Sequence, residues 1–121
     1  MNHFISLAAA IEMTSLYRLQ KDKVLQQQFV GKNILPLSET FDRAAFDAVL
    51  SQPGCVGLRI YYGMQQDLTI HALIVGVNDK NEDLIPARTN NATTTAETDD
   101  QIIELGQRCP DICPTESTLN S

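Results

Sequence analysis

Cys109-Pro110-Asp111-Ile112-Cys113-Pro114 is the most distinctive stretch of the chain. Two thiolates at this spacing can share a zinc ion if further ligands arrive from elsewhere, and Cys55 with His71 or His3 would complete a tetrahedral set. The same pair can instead close a local disulfide in an oxidising setting and leave Cys55 free. In a third reading all three are small buried apolar thiols, two of them in a turn stiffened by prolines. Cofactor-free protein is the expectation, with zinc the alternative. The spacing is not Cys-x-x-Cys, which argues against thioredoxin-like chemistry.

A second candidate set is Arg59, Tyr61 and His71. If Tyr62 stands opposite Leu68 across a hairpin, then Arg59 stands opposite His71 beside Tyr61 and Thr69, a polar cluster suited to an anion or a carboxylate. The competing reading is a surface ladder in which Arg59 pairs with an acidic group and His71 is partly buried. Asp79, Asn81 and Asp83 open like a calcium loop, yet Leu84 stands where the turn glycine belongs and Asn90 where the bidentate glutamate belongs, so a solvated turn is expected. No Ser-His-Asp arrangement, phosphate-cradling glycine loop or paired-carboxylate signature is present, and the chain leans away from catalysis.

These residues must be held by one small domain. The chain has 121 residues, 43% of them hydrophobic and 20% charged, enough to bury a core without a metal or disulfide. Fifteen acidic against nine basic residues give a net charge of −6, which excludes the clustered positive charge of a nucleic-acid footprint. Ile5 to Ile11 is far too short an apolar run for a membrane span, and no basic residue precedes it. With an odd cysteine count, this predicts a cytoplasmic protein.

Apolar positions from Ile5 to Phe29 predict an amphipathic helix capped by Ser6 and ended near Gly31. It is expected to cover the domain's own sheet, the alternative being a partner helix. Asp42 caps a second helix over Arg43 to Ser51, which Gln52-Pro53-Gly54 terminates. Cys55 to Gly63 alternates as a half-buried strand, with Val56, Leu58, Ile60 and Tyr62 on one face. Leu68 to Val77 reads as the central strand, and a third runs from Asp83 to Ile85, stopped by Pro86. Ala87 to Asp100 is polar and reads as a linker, and Gln101 to Leu105 as a short helix.

The expected architecture is therefore α+β: two N-terminal helices packed on a three-stranded antiparallel meander, with a long polar loop and a short C-terminal helix. The core domain is residues 1–86, the linker 87–100 and the cysteine-bearing arm 101–121. Leu73, Val75 and Val77 lie on the sheet face opposite the helices, so that face must meet the C-terminal segment or another subunit, and they are the candidate interface with a second subunit or a protein partner.

Gln52-Pro53-Gly54-Cys55, Arg59-Ile60-Tyr61-Tyr62-Gly63-Met64 and Gly106-Gln107-Arg108-Cys109-Pro110 give the chain a resemblance, from about Ser38 to Cys113, to a family of short uncharacterised bacterial proteins. The resemblance implies a small stand-alone protein and supplies no catalytic residue or cofactor. The function expected is a non-catalytic, self-associating structural or protein-interaction module. A metal or thiol-redox protein using the three cysteines, or a small-ligand binder on the sheet face, is the alternative.

Overall fold

The structure, a computed structural model, describes residues 2–85 and 102–120. It is α+β with antiparallel pairing throughout, the class the patterning predicts. Helix α1 (Leu7–Gln20) is followed by two single 3-10 turns, strand β1 (Ser38–Thr40), helix α2 (Arg43–Leu50) and strands β2 (Gly57–Met64), β3 (Ile70–Val77), β4 (Asp83–Leu84), β5 (Ile102–Ile103) and β6 (Gln107–Cys109). The expected linker and Pro86 lie outside the described residues.

Ser6 caps α1 as expected, its Oγ accepting from Ala9 N–H at 3.0 Å. The helix stops at Gln20, well short of Gly31, because Leu25 and Val30 adopt extended backbone that breaks the chain into turns. Leu7, Ile11, Met13, Leu16 and Leu19 are spread around α1 instead of forming one stripe, and no residue of the helix is buried. It is α2 that packs on the sheet. Val49, fully buried, meets Ile74 and Ile103, with Phe41, Ala45 and Phe46 around them. At Gly76 a Cβ would lie 2.8 Å from Cys55 Sγ and 3.2 Å from Val49 Cγ1, so the missing side chain is what lets α2 sit against β3.

The β2–β3 hairpin runs in register from Gly57 opposite Val77 to Met64 opposite Ile70. Leu68 N–H donates to Gln65 O at 2.8 Å and Gln65 N–H to Thr69 O at 3.0 Å, which closes a three-residue loop with Leu68 left-handed at φ 72°. Asp67 reinforces the turn: Thr69 donates to its Oδ1 from N–H (3.1 Å) and from Oγ1 (2.6 Å).

Among the described residues the sheet has four strands where three are expected. β5 replaces the short helix predicted from Gln101 to Leu105: Ile103 pairs with Ile74 and Ile102 with Val75. Two β-branched residues suit a pleated surface, and Leu105 at φ 65° cannot continue a helix. β3 is therefore central. Along its edge away from β2, Ile70 N–H donates to Ile34 O (2.9 Å) and Ala72 N–H to Glu39 Oε1 (2.9 Å). β5 and then β4 occupy the rest, with Gly76 opposite Leu84. β1 and β6 form a separate two-stranded ribbon pairing Ser38 with Cys109. Phe41 covers Gly106 so closely that a Cβ there would lie 2.6 Å from Cζ.

Candidate functional site: the open edge of the sheet

Arg59, Tyr61 and His71 do not form one cluster. In the observed register Arg59 stands opposite Val75, Tyr61 opposite Leu73, and His71 opposite Gly63, a shift of four residues from the expected pairing because the loop falls at 66–68. Arg59 instead donates to Asp83 Oδ1 and Asn81 Oδ1, and Tyr61 O–H donates to Asp83 Oδ2. These bonds hold the Asp83 carboxyl below the usual range, the Tyr61 bond first, with Arg59 adding to it. The bond to Asp83 likewise raises Arg59 and Tyr61. The guanidinium is thus committed to its own chain, as the surface-ladder reading expects.

His71 is buried at the other end of β3. Its Nε2 lies 2.9 Å from Thr69 Oγ1, and because that hydroxyl gives its own proton to Asp67, Nε2 must be the donor. The two bonds from Thr69, side chain first, also lower the Asp67 carboxyl. Nδ1 is left facing Glu104 Oε1 at 3.8 Å. Glu39 and Glu104 were missed by sequence reasoning; an isolated acid within a three-residue strand, or just after a two-residue one, carries no periodic signal.

The three cysteines do not gather at one point either. Cys109 and Cys113 are joined in a disulfide, and in that oxidised form neither sulfur is a thiolate able to bind zinc. Cys55 is free and donates to Gly57 O at 3.3 Å, at the end of the hairpin remote from His71. Among the described residues no three of His, Cys, Asp and Glu stand close enough to hold a metal ion. None of the described helices is long and apolar enough to cross a membrane.

The candidate interface residues Leu73, Val75 and Val77 are largely enclosed. Val75 is only 3% exposed, enclosed between its cross-strand neighbours Arg59 and Ile102, and Leu73 and Val77 are half-buried. The uncovered apolar stripe lies on the opposite face, on β2: Leu58, Ile60, Tyr62 and Met64 are 37%, 53%, 80% and 60% exposed. The alternation that reveals this stripe is visible in the sequence, but alternation alone does not say which of the two faces is covered. An eight-residue helix spans roughly 12 Å; α2 uses that length over β3 and β5 and leaves β2 bare.

β2 is bare along its backbone too. Among the described residues its only partner is β3. Gln65 and Thr69 form a hydrogen-bonded pair, so by alternation the odd-numbered residues of β2 turn their N–H and C=O groups to β3 and the even-numbered ones turn theirs outward. Residues 58, 60, 62 and 64 therefore carry both the exposed apolar side chains and the unpaired backbone groups. Comparison with family models, curated proteins and solved structures finds no match, so the site is read from its own geometry.

Proposed function

We propose that the protein is a self-associating, non-catalytic module whose β2 edge pairs with β2 of a second copy. The observation that carries this reading is the coincidence, on the same four residues, of exposed apolar side chains with outward-facing backbone donors and acceptors. Either feature alone is common; together they are what strand addition needs.

Side-chain parity restricts the geometry. An antiparallel β2–β2 contact keeps both apolar stripes on one face only if the two-fold axis passes through a residue and not between two. With the axis at Tyr61, Ile60 pairs with Tyr62 and Leu58 with Met64 of the other copy, while each Arg59 meets a glycine, so no like charges oppose one another. The side chains and strand edges together would bury on the order of 1,000 Å² over the two copies, the floor for a specific interface. The net charge of −6 does not oppose it locally, since β2 carries no acidic residue.

The test is native mass spectrometry and sedimentation of the wild type, Ile60→Lys and Tyr62→Pro. Wild type is expected to be dimeric or larger and both variants monomeric with unchanged circular dichroism. The proline is the sharper probe, because the N–H it deletes faces away from β3. A wild-type monomer at high concentration would overturn the proposal.

A further inference from the structure

The segment 110–120 is held to the rest of the molecule in a way that one chemical step can undo. Its backbone bonds are mostly internal: Asn120 N–H donates to Ser117 O (3.2 Å), Ser117 N–H to Asn120 Oδ1 (2.6 Å), Leu119 N–H to Ser117 Oγ (3.2 Å), and Asn120 Nδ2 to Thr115 O (3.2 Å). Residues 115–120 thus form a small knot of their own. Among the described residues it is tied outward at three points. Arg18 on α1 donates from Nη1 to Leu119 O at 2.6 Å, Ile112 N–H donates to Arg108 O at 2.9 Å, and the disulfide fixes Cys113 to β6.

Between this knot and α1 lies a cavity of about 490 Å³, walled by Met13, Tyr17 and Leu37 on one side and by Pro114 and Leu119 on the other. The contact across it is apolar but not close-packed, so it contributes less than a filled core would. Cys109, in the same wall, is 3% exposed, whereas Cys113 is open to solvent. The bridge therefore has one accessible and one protected sulfur.

We propose that the Cys109–Cys113 disulfide is a redox latch: its reduction by a dithiol releases residues 110–120 from α1 and uncovers the Met13, Tyr17 and Leu37 surface. The reductant's first thiolate attacks the exposed Cys113 sulfur, forming a mixed disulfide and expelling Cys109 as the thiolate. Its second thiol then displaces Cys113. Two electrons pass to the protein, the two protons of the dithiol end on Cys109 and Cys113, and the reductant leaves as its own disulfide. The two states match the two settings: an oxidising compartment keeps the latch closed, and a cytoplasmic thiol pool, the setting expected from the sequence, keeps it open.

Alkylation kinetics read by mass spectrometry test this, because Cys55 is an internal reporter of the sheet. In protein reduced with dithiothreitol, freed of reductant and pulsed with iodoacetamide, Cys109 is expected to react at the rate of Cys113, while Cys55 reacts as it does in the oxidised protein. Hydrogen exchange in peptides from α1 and from 110–120 should rise on reduction and fall again on reoxidation. Cys113→Ser without reductant should reproduce the reduced pattern. Cys109 remaining protected after reduction would overturn the latch, for the segment would then stay docked without its bridge. Acceleration of all three cysteines would also overturn it, showing a staple whose loss unfolds the domain.

Discussion

The two long edges of the β2–β3 hairpin are treated in opposite ways. The edge of β3 is closed piece by piece along its whole length: a carbonyl from Ile34, a carboxylate from Glu39, then β5, then β4. The outer edge of β2 has an equal run of backbone groups and, among the described residues, no partner. Four pieces of chain, from Ile34 to Ile103 in sequence, converge on the first edge. An edge left open beside so thorough a closure, and lined with apolar side chains instead of the lysines or prolines that discourage pairing, fits a surface that receives another strand.

The largest test of this contrast compares one isoleucine from each edge. Ile103→Ala removes a side chain that is 7% exposed and packed on Val49 and Ile74, and it should cost about 3 kcal/mol in chemical denaturation. Ile60→Ala, from a position 53% exposed, should cost under about 0.5 kcal/mol in dilute monomer while weakening association. Equal losses at low concentration would mean that β2 is already covered within one chain.

Glu39 gives the next effect. Its carboxylate stands in for a strand by accepting the Ala72 N–H, and its Oε2 is buried without a partner among the described residues. Glu39→Ala leaves that N–H unsatisfied, at a cost of about 2 kcal/mol. Glu39→Gln keeps an acceptor oxygen and should recover much of the loss. If alanine and glutamine behave alike, the carboxylate is not what closes that stretch of edge.

Acid distinguishes the ends of the sheet more gently. The folded carboxyls of Asp83 and Asp67 both lie below their ordinary value, through bonds from Tyr61 and Arg59 in one case and from Thr69 in the other. A depressed folded pKa means that the stabilisation is present above the unfolded value, near 4, and fades as pH falls through the lower folded value. Urea midpoints should therefore hold from pH 7 to about 5 and drop below about 4. Asp83→Asn should flatten part of that acid limb. An unchanged limb in this variant would show that the Arg59–Tyr61–Asp83 group contributes nothing measurable.

Much of the frame was legible in the residues. Ser6 follows from its capping chemistry, and the Arg43-to-Leu50 helix and the β2–β3–β4 succession from periodicity and terminators, all of them local, although Asp42, at the start of α2, makes no side-chain capping bond. What was not legible is non-local. Ile102-Ile103 is too short for periodicity to separate strand from helix, and its pairing with β3 depends on where the chain returns after residue 101. The uncovered face was misassigned because the two-faced apolar run from Ala72 to Val77 identifies a central strand but not which helix covers it. That depends on α1 lacking a single apolar stripe and on α2 being short.

The hairpin register failed for a more specific reason, which yields the smallest prediction. Pairing Tyr62 with Leu68, as expected from the sequence, places the loop at Gly63 to Asp67, with the glycine at its start. The chain instead keeps Gly63 inside β2, opposite His71 and with Leu73 Cδ1 3.0 Å from where a Cβ would sit, and places Leu68 at φ 72°. A leucine there carries a local cost that the eight paired residues of each strand, and Asp67 bonding Thr69 twice, must outweigh. Leu68→Gly relieves it but also frees the unfolded chain and gives up a half-exposed side chain, so the net gain should be only about 0.5 kcal/mol. The sign is what matters: stabilisation at 68, with Gly63→Ala destabilising through its contact with Leu73, would confirm the loop at 66–68 and so the phase that turns residues 58, 60, 62 and 64 outward. The reverse pair of signs would move the register, and with it the apolar stripe, off the open edge.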